Sequence, residues 1–149
     1  MNQIPPAKSE STRVEPGAIE SARLQAVDHS RDGRLRRHAD YQRAYQASRK
    51  QFSSSMTWFL ARRDETAVQP ARVGLTAGKA LGKAHERNRI KRRMRELVRR
   101  HFSELPAGYD LILHPRRQVM TMDFGKLDAE LLRIFRQATV QAAAQRTAQ

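Results

Sequence analysis

Cysteine is absent from this chain, which excludes disulfides, thiolate-held metals and a thiol nucleophile. Acidic residues are scarce: 15 Asp and Glu stand against 29 Lys and Arg in 149 residues, leaving a net charge of +14. Excess positive charge repels itself in a compact state and is relieved by a polyanion, so it speaks of partners rather than of fold. Aromatics make up only 6% of the chain, and no stretch approaches the roughly 20 apolar residues that span a bilayer. Met1 to Gly17 has no apolar segment of the kind that directs secretion. A soluble, cytoplasmic protein without a membrane partner is therefore expected. Gly74, Gly78 and Gly82 do not fall into a phosphate-cradling loop pattern.

What is there divides unevenly. Residues 1–30 hold Pro5, Pro6, Pro16 and Gly17 among Ser, Glu and Gln, with no apolar stripe, and read as a disordered extension. They carry a net charge of −1, so residues 31–149 carry +15. The basicity belongs to the part that folds, read as a single domain over 31–143 with a flexible tail over 144–149. Tyr41, Ala44, Tyr45 and Ser48 fall at helical spacing and predict a short helix over 38–48 with both tyrosines on one face. Met56, Trp58 and Leu60 alternate with Thr57, Phe59 and Ala61, and Val73, Leu75 and Ala77 alternate with Gly74 and Thr76. That period of two predicts two strands, which the polar stretch Arg63–Ala71 would join as a hairpin. A third strand is predicted over Tyr109–His114, closed by Pro115. A last helix is predicted over 123–143, with Asp123 as its N-cap and Leu127, Leu131, Ile134, Phe135 and Ala138 as its buried stripe.

The segment from Lys79 to Arg100 holds ten basic and two acidic residues. Wound as a helix, it gathers Ile90, Met94, Leu97, Val98 and His101 on one side. Asn88, Arg92, Arg95 and Arg99 fall opposite, with Arg89, Arg93 and Arg100 along a flank. Like charges three and four residues apart each cost an isolated helix roughly 0.2–0.5 kcal/mol. Such a face is favourable when phosphates neutralise it, and seven of the ten cations are Arg, whose planar fork matches phosphate bidentately.

The run Leu81-Gly-Lys-Ala-His-Glu-Arg-Asn-Arg-Ile-Lys-Arg-Arg-Met-Arg-Glu96 resembles the signature of the bacterial ribonuclease P protein family, centred on Arg87, Asn88 and Arg89. Arg34-Leu-Arg-Arg37 with the short helix behind it resembles that family's opening segment. Arg72-Val-Gly-Leu75 and Gly108-Tyr-Asp-Leu-Ile-Leu113 resemble its strands, so the likeness spans residues 34–138. It implies an α+β fold, a small α/β sandwich with a mixed sheet of about four strands and three helices, including a left-handed βαβ crossover where general rules would favour the right-handed one. It further implies the protein subunit of ribonuclease P, an endoribonuclease, with the catalytic RNA subunit and precursor tRNA as partners, no obligate protein partner and Mg²⁺ required by the holoenzyme. By resemblance, Arg87, Asn88, Arg89, Lys91, Arg92, Arg95 and Arg99 face the catalytic RNA. The same resemblance implies a cleft between the first helix and the sheet for the single-stranded 5′ leader. Candidates to line it are Tyr41, Tyr45, Phe52, Trp58 and Lys79, since single strands stack on aromatics beside positive charge. Two departures stand out: Thr76-Ala-Gly-Lys-Ala80 leaves Lys79 as the lone cation where the family often has a Lys pair, and Ala61 stands where an aromatic is common.

A self-sufficient metal nuclease would need converging carboxylates or histidines. His85 beside Glu86, and His114 between Asp110 and Asp123, lack a recognisable ligand spacing, and His101 reads as a helix-face residue. No catalytic residue and no metal site are expected on the protein itself. The alternative is a ribosomal or DNA-binding protein that lays the same Arg-rich helix into a groove. A membrane-surface helix is disfavoured because its apolar side has no Trp or Phe before Phe102.

Overall fold

The computed structural model describes residues 33–63 and 69–147; the extension over 1–30 lies outside them. Among the described residues the fold is α+β, with three α-helices and one four-stranded mixed sheet. Helix α1 spans His38–Gln46, and strands β1 (Gln51–Phe52), β2 (Met56–Arg62) and β3 (Arg72–Leu75) follow. Helix α2 covers Ala84–His101, β4 covers Tyr109–Pro115 and α3 covers Phe124–Thr147. Across the sheet the order is β1-β2-β4-β3.

The hairpin expected between the Met56 and Val73 strands does not form. β4 lies between them, antiparallel to β2 and parallel to β3, with Leu111 opposite both Leu60 and Val73. The reason is burial: Leu111, Ile112 and Leu113 are all inaccessible, and a continuously apolar strand is stable only where both of its faces are covered and both of its edges are paired. The chain therefore passes from β3 through α2 and returns to the middle of the sheet.

On one face Met56, Trp58, Leu60, Val73, Leu111 and Leu113 pack against Ile90, Met94, Leu97 and Val98 of α2 and Leu127, Leu131, Ile134, Phe135, Ala138 and Ala142 of α3. The predicted stripes of both helices are the buried ones. Each such side chain contributes roughly 1.5–3 kcal/mol when fully buried. Asp123 accepts a hydrogen bond from the Lys126 N–H at 3.1 Å and so caps α3 as expected. α3 continues to Thr147, so residues 144–147 form its last turn where a tail was expected.

On the other face, a smaller cluster of Leu35, Ala44, Ala61 and Ile112, with Tyr41, Tyr45 and Phe59 against it, seats α1. An ion network reinforces it. Asp110, fully buried, accepts from Arg63 at 2.8 Å, from Arg72 through two nitrogens at 2.8 Å each and from Arg43 of α1 at 3.3 Å. Asp40 adds a 3.3 Å pair to Arg72. A carboxylate at the centre of a sheet is tolerable only when surrounded by donors in this way.

A second buried carboxylate ties the β1–β2 turn to α3. Glu130 accepts from the Ser55 N–H at 2.9 Å, Ser55 Oγ at 2.7 Å and Ser54 Oγ at 3.0 Å, and also from Ser53 Oγ. Burial pushes its pKa up, and these serine hydrogen bonds outweigh that effect and hold it below the usual carboxylate range.

Candidate nucleic-acid interface

Helix α2 begins where the turn Lys79–Leu81 ends at Gly82, whose φ of +124° reverses the chain. Glu86 then accepts a hydrogen bond from the Lys83 N–H at 2.8 Å, which secures the first turn. Donation from that backbone N–H keeps the Glu86 carboxyl below its usual range, with the Arg117 charge assisting against the opposing effect of desolvation. Glu86 is thereby kept ionised at the N-terminal end of the helix.

The cations of α2 divide into two groups. Arg93 donates to the carbonyls of Val119, Met120 and Met122 at 2.5–2.9 Å, and Arg93 and Arg100 lie over the Phe124 ring at 5.5 and 5.1 Å. These two hold the segment before α3 in place. Arg99 pairs with Glu96 within the helix, an exposed pair that contributes little to stability. Asn88, Arg89, Arg92 and Arg95 are exposed and Lys91 is half-buried; Arg89 and Arg92 have no hydrogen-bond or ion-pair partner among the described residues. Arg87 is half-buried, and its Nε is enclosed without a hydrogen-bond partner among the described residues.

The second surface is the groove between α1 and the sheet. Tyr45 packs edge-on against Phe59 at 4.9 Å and His114 at 5.8 Å between ring centroids, and Tyr41 lies 6.3 Å from Tyr45. Tyr45 Oη is 2.8 Å from His114 Nε2, and Tyr41 Oη donates to the Leu35 carbonyl at 3.3 Å. Burial and the neighbouring Tyr45 raise the Tyr41 pKa, while a backbone hydrogen bond at Leu75 and the charges of Arg34 and Arg95 pull it down. Arg95 of α2 is thus among the charges that act on Tyr41.

The expected groove residues are not all there. Trp58 is 1% exposed and belongs to the opposite core, because alternation along β2 turns it away from α1. Phe59, one residue on, takes the place assigned to it. Phe52 pairs with Thr57 on the α1 side of the sheet edge and is 69% exposed. Lys79 lies exposed in the turn beyond β3. Phe59 and His114 also line the groove; the alternation that places Ala61 with α1 places Phe59 there too. Among the described residues no three or more His, Asp or Glu side chains form a metal-holding group. Asp110 serves the arginine network, Asp123 caps α3, and His101 pairs with Asp128 at 2.6 Å. No helix among the described residues is long and apolar enough to cross a membrane.

A sequence model described as Ribonuclease P matches residues 30–139. The chain belongs to the ribonuclease P protein family. It is 40% identical over 111 residues to the ribonuclease P protein component of Chloroflexus aggregans, covering 72% of this chain and 78% of that protein. With the ribonuclease P protein component of Finegoldia magna it shares 30% identity over 106 residues, 71% of this chain and 90% of that one. The fold is similar to that of the RNase P protein from Thermotoga maritima, with a TM-score of 0.60 at 24% identity over 70% of this chain and 96% of that chain. A mutant Staphylococcus aureus RNase P protein matches with a TM-score of 0.63 at 25% identity, over 84% of this chain and 98% of that one. Arg87, Asn88 and Arg89 occupy the first turns of α2, near the exposed Arg92 and Arg95.

Proposed function

We propose that this chain is the protein subunit of a ribonuclease P holoenzyme, assisting removal of the 5′ leader from precursor tRNA in the cytoplasm. In this reading Arg87, Asn88, Arg89, Lys91, Arg92, Arg95 and Arg99 hold the catalytic RNA subunit, and the α1 groove receives the single-stranded leader. The observation that carries it is the presence, in a chain of this family, of both an exposed arginine face on α2 and an aromatic groove under α1. Arginine forks neutralise phosphates, while Tyr41, Tyr45, Phe59 and the exposed Phe52 offer ring faces to unpaired bases. The hydrolytic chemistry, with its Mg²⁺, is assigned to the RNA. The protein's part is to screen phosphates that must approach one another and to hold the leader in register.

The test is reconstitution. Purified protein is incubated with precursor tRNA and Mg²⁺, with and without the RNA subunit from the same source. Cleavage at the mature 5′ end is expected only with the RNA present, and at lower Mg²⁺ when the protein is added. Cleavage by RNA-free protein, abolished by one carboxylate or histidine substitution, would overturn the assignment. Tighter binding to duplex DNA than to the RNA subunit would favour a DNA-binding protein instead.

A further inference from the structure

His114 ends the central strand with its ring on the groove side, where Tyr45 from α1 and Phe59 from β2 enclose it. A phenol is the stronger acid and an imidazole nitrogen the stronger base, so with neutral imidazole the 2.8 Å contact is best made by the Tyr45 O–H donating to His114 Nε2. The hydroxyl's single proton is then committed. Its oxygen can only accept from anything that enters the groove. Protonated imidazole has no acceptor nitrogen, so Nε2–H must donate to Tyr45 Oη, which frees the phenolic proton to point outward.

We infer that His114 is a specificity-determining residue of the leader groove, setting through its proton whether Tyr45 offers a leader base an acceptor or a donor. The inference rests on the leader-binding reading above. With neutral His114, Tyr45 favours a base that presents an exocyclic amine. With His114 protonated, it favours a base that presents a carbonyl at that point. Burial and the charge of Lys50 lower the His114 pKa, which makes the neutral, amine-selecting form the resident one near neutrality. The groups that face the ring are the Tyr45 hydroxyl from α1, Phe59 from β2 and Lys50 from the α1–β1 connection. In register beside it on β2 lies Thr57, which is uncharged. Its other neighbour, Thr76 beyond β3, is also neutral and directs its N–H to the Leu113 carbonyl.

The experiment uses the reconstituted holoenzyme and measures Kd for mature tRNA and for precursors. Their leaders carry adenine, purine (the same ring without the amine) or hypoxanthine (a carbonyl in its place) at each leader position in turn. At about pH 8, one position is expected to bind adenine about tenfold better than hypoxanthine, the size of one hydrogen bond to a base; at a second, lower pH, chosen where the imidazole NMR signal shows His114 protonated, that preference should vanish or invert. His114→Gln supplies a permanent acceptor and should retain the preference at both pH values. His114→Phe keeps the ring packing, frees the Tyr45 proton and should lose the preference at both. A wild-type preference that does not change with pH, or one that survives in His114→Phe, would overturn the inference while leaving the leader-binding reading in place. Equal affinity of wild type for precursor and mature tRNA at both pH values would instead overturn the leader-binding reading, and the inference with it.

Discussion

Gly74 of β3 forms the floor directly beneath Tyr41. A Cβ built on Gly74 would lie 2.5 Å from the Tyr41 oxygen and 2.8 Å from its Cζ, so the ring can rest there only because residue 74 has no side chain. Gly74→Ala is expected to lift the ring out of position at a stability cost of about 1–3 kcal/mol. If Tyr41 stacks on a leader base, discrimination between precursor and mature tRNA should fall by a similar amount to Tyr41→Ala, on the order of 1–3 kcal/mol. Comparison of the two variants in the same binding assay checks this; unchanged discrimination in Gly74→Ala would detach Tyr41 from the leader.

Asp110 is the group on which the α1 face depends electrostatically. Replacing it with Ala removes the buried carboxylate on which Arg63, Arg72 and Arg43 converge, and breaking such a buried network from one side costs about 3–5 kcal/mol. Urea denaturation should show that loss. Arg43→Ala, which removes a longer and more exposed contact with the same carboxylate, should cost far less.

Stability should also depend on Glu130 in acid. Its pKa in the fold lies below the ordinary 4.5, so the unfolded chain binds its proton first as the pH falls. The stabilisation is complete above the unfolded value and is lost as the pH drops through the folded one. The expected result is a decline in denaturation midpoint below that range in wild type, and a lower but flatter profile in Glu130→Gln. A profile of unchanged slope in the variant would assign the acid sensitivity elsewhere.

For the outward face of α2, Arg92→Ala and Arg95→Ala should each weaken RNA binding and reduce the slope of log affinity against log salt by roughly 1. Thermal stability should hold, since Arg92 is exposed and has no hydrogen bond or ion pair among the described residues. Arg93→Ala is the contrast: its guanidinium holds three carbonyls, and its loss should lower the melting temperature. A reversal of these two outcomes would mean that the inner and outer faces are assigned the wrong way round.

Local periodicity determined which segments are helix or strand, and one-residue alternation determined which side chains share a face. The apolar stripes of α2 and α3 and the cap at Asp123 follow from spacing alone, because a helix must bury whatever recurs at its own period. Net charge and the Arg-rich run determined the class of partner to expect, since an unbalanced cationic face is a property of composition. Which face of β2 meets α1 was decided only by the tertiary structure: Trp58 and Phe59 are equally apolar, and alternation separates them without naming the side. The tertiary structure also decided that β4 separates β2 from β3, because pairing depends on which strand is buried on both faces, and that Arg93 serves the fold while Arg92 is left to solvent. Adjacent arginines are alike as residues. What distinguishes them is whether carbonyls from a distant turn come within 3 Å, as those of Val119, Met120 and Met122 do for Arg93, and chain segments so far apart in sequence meet only when the whole core has packed.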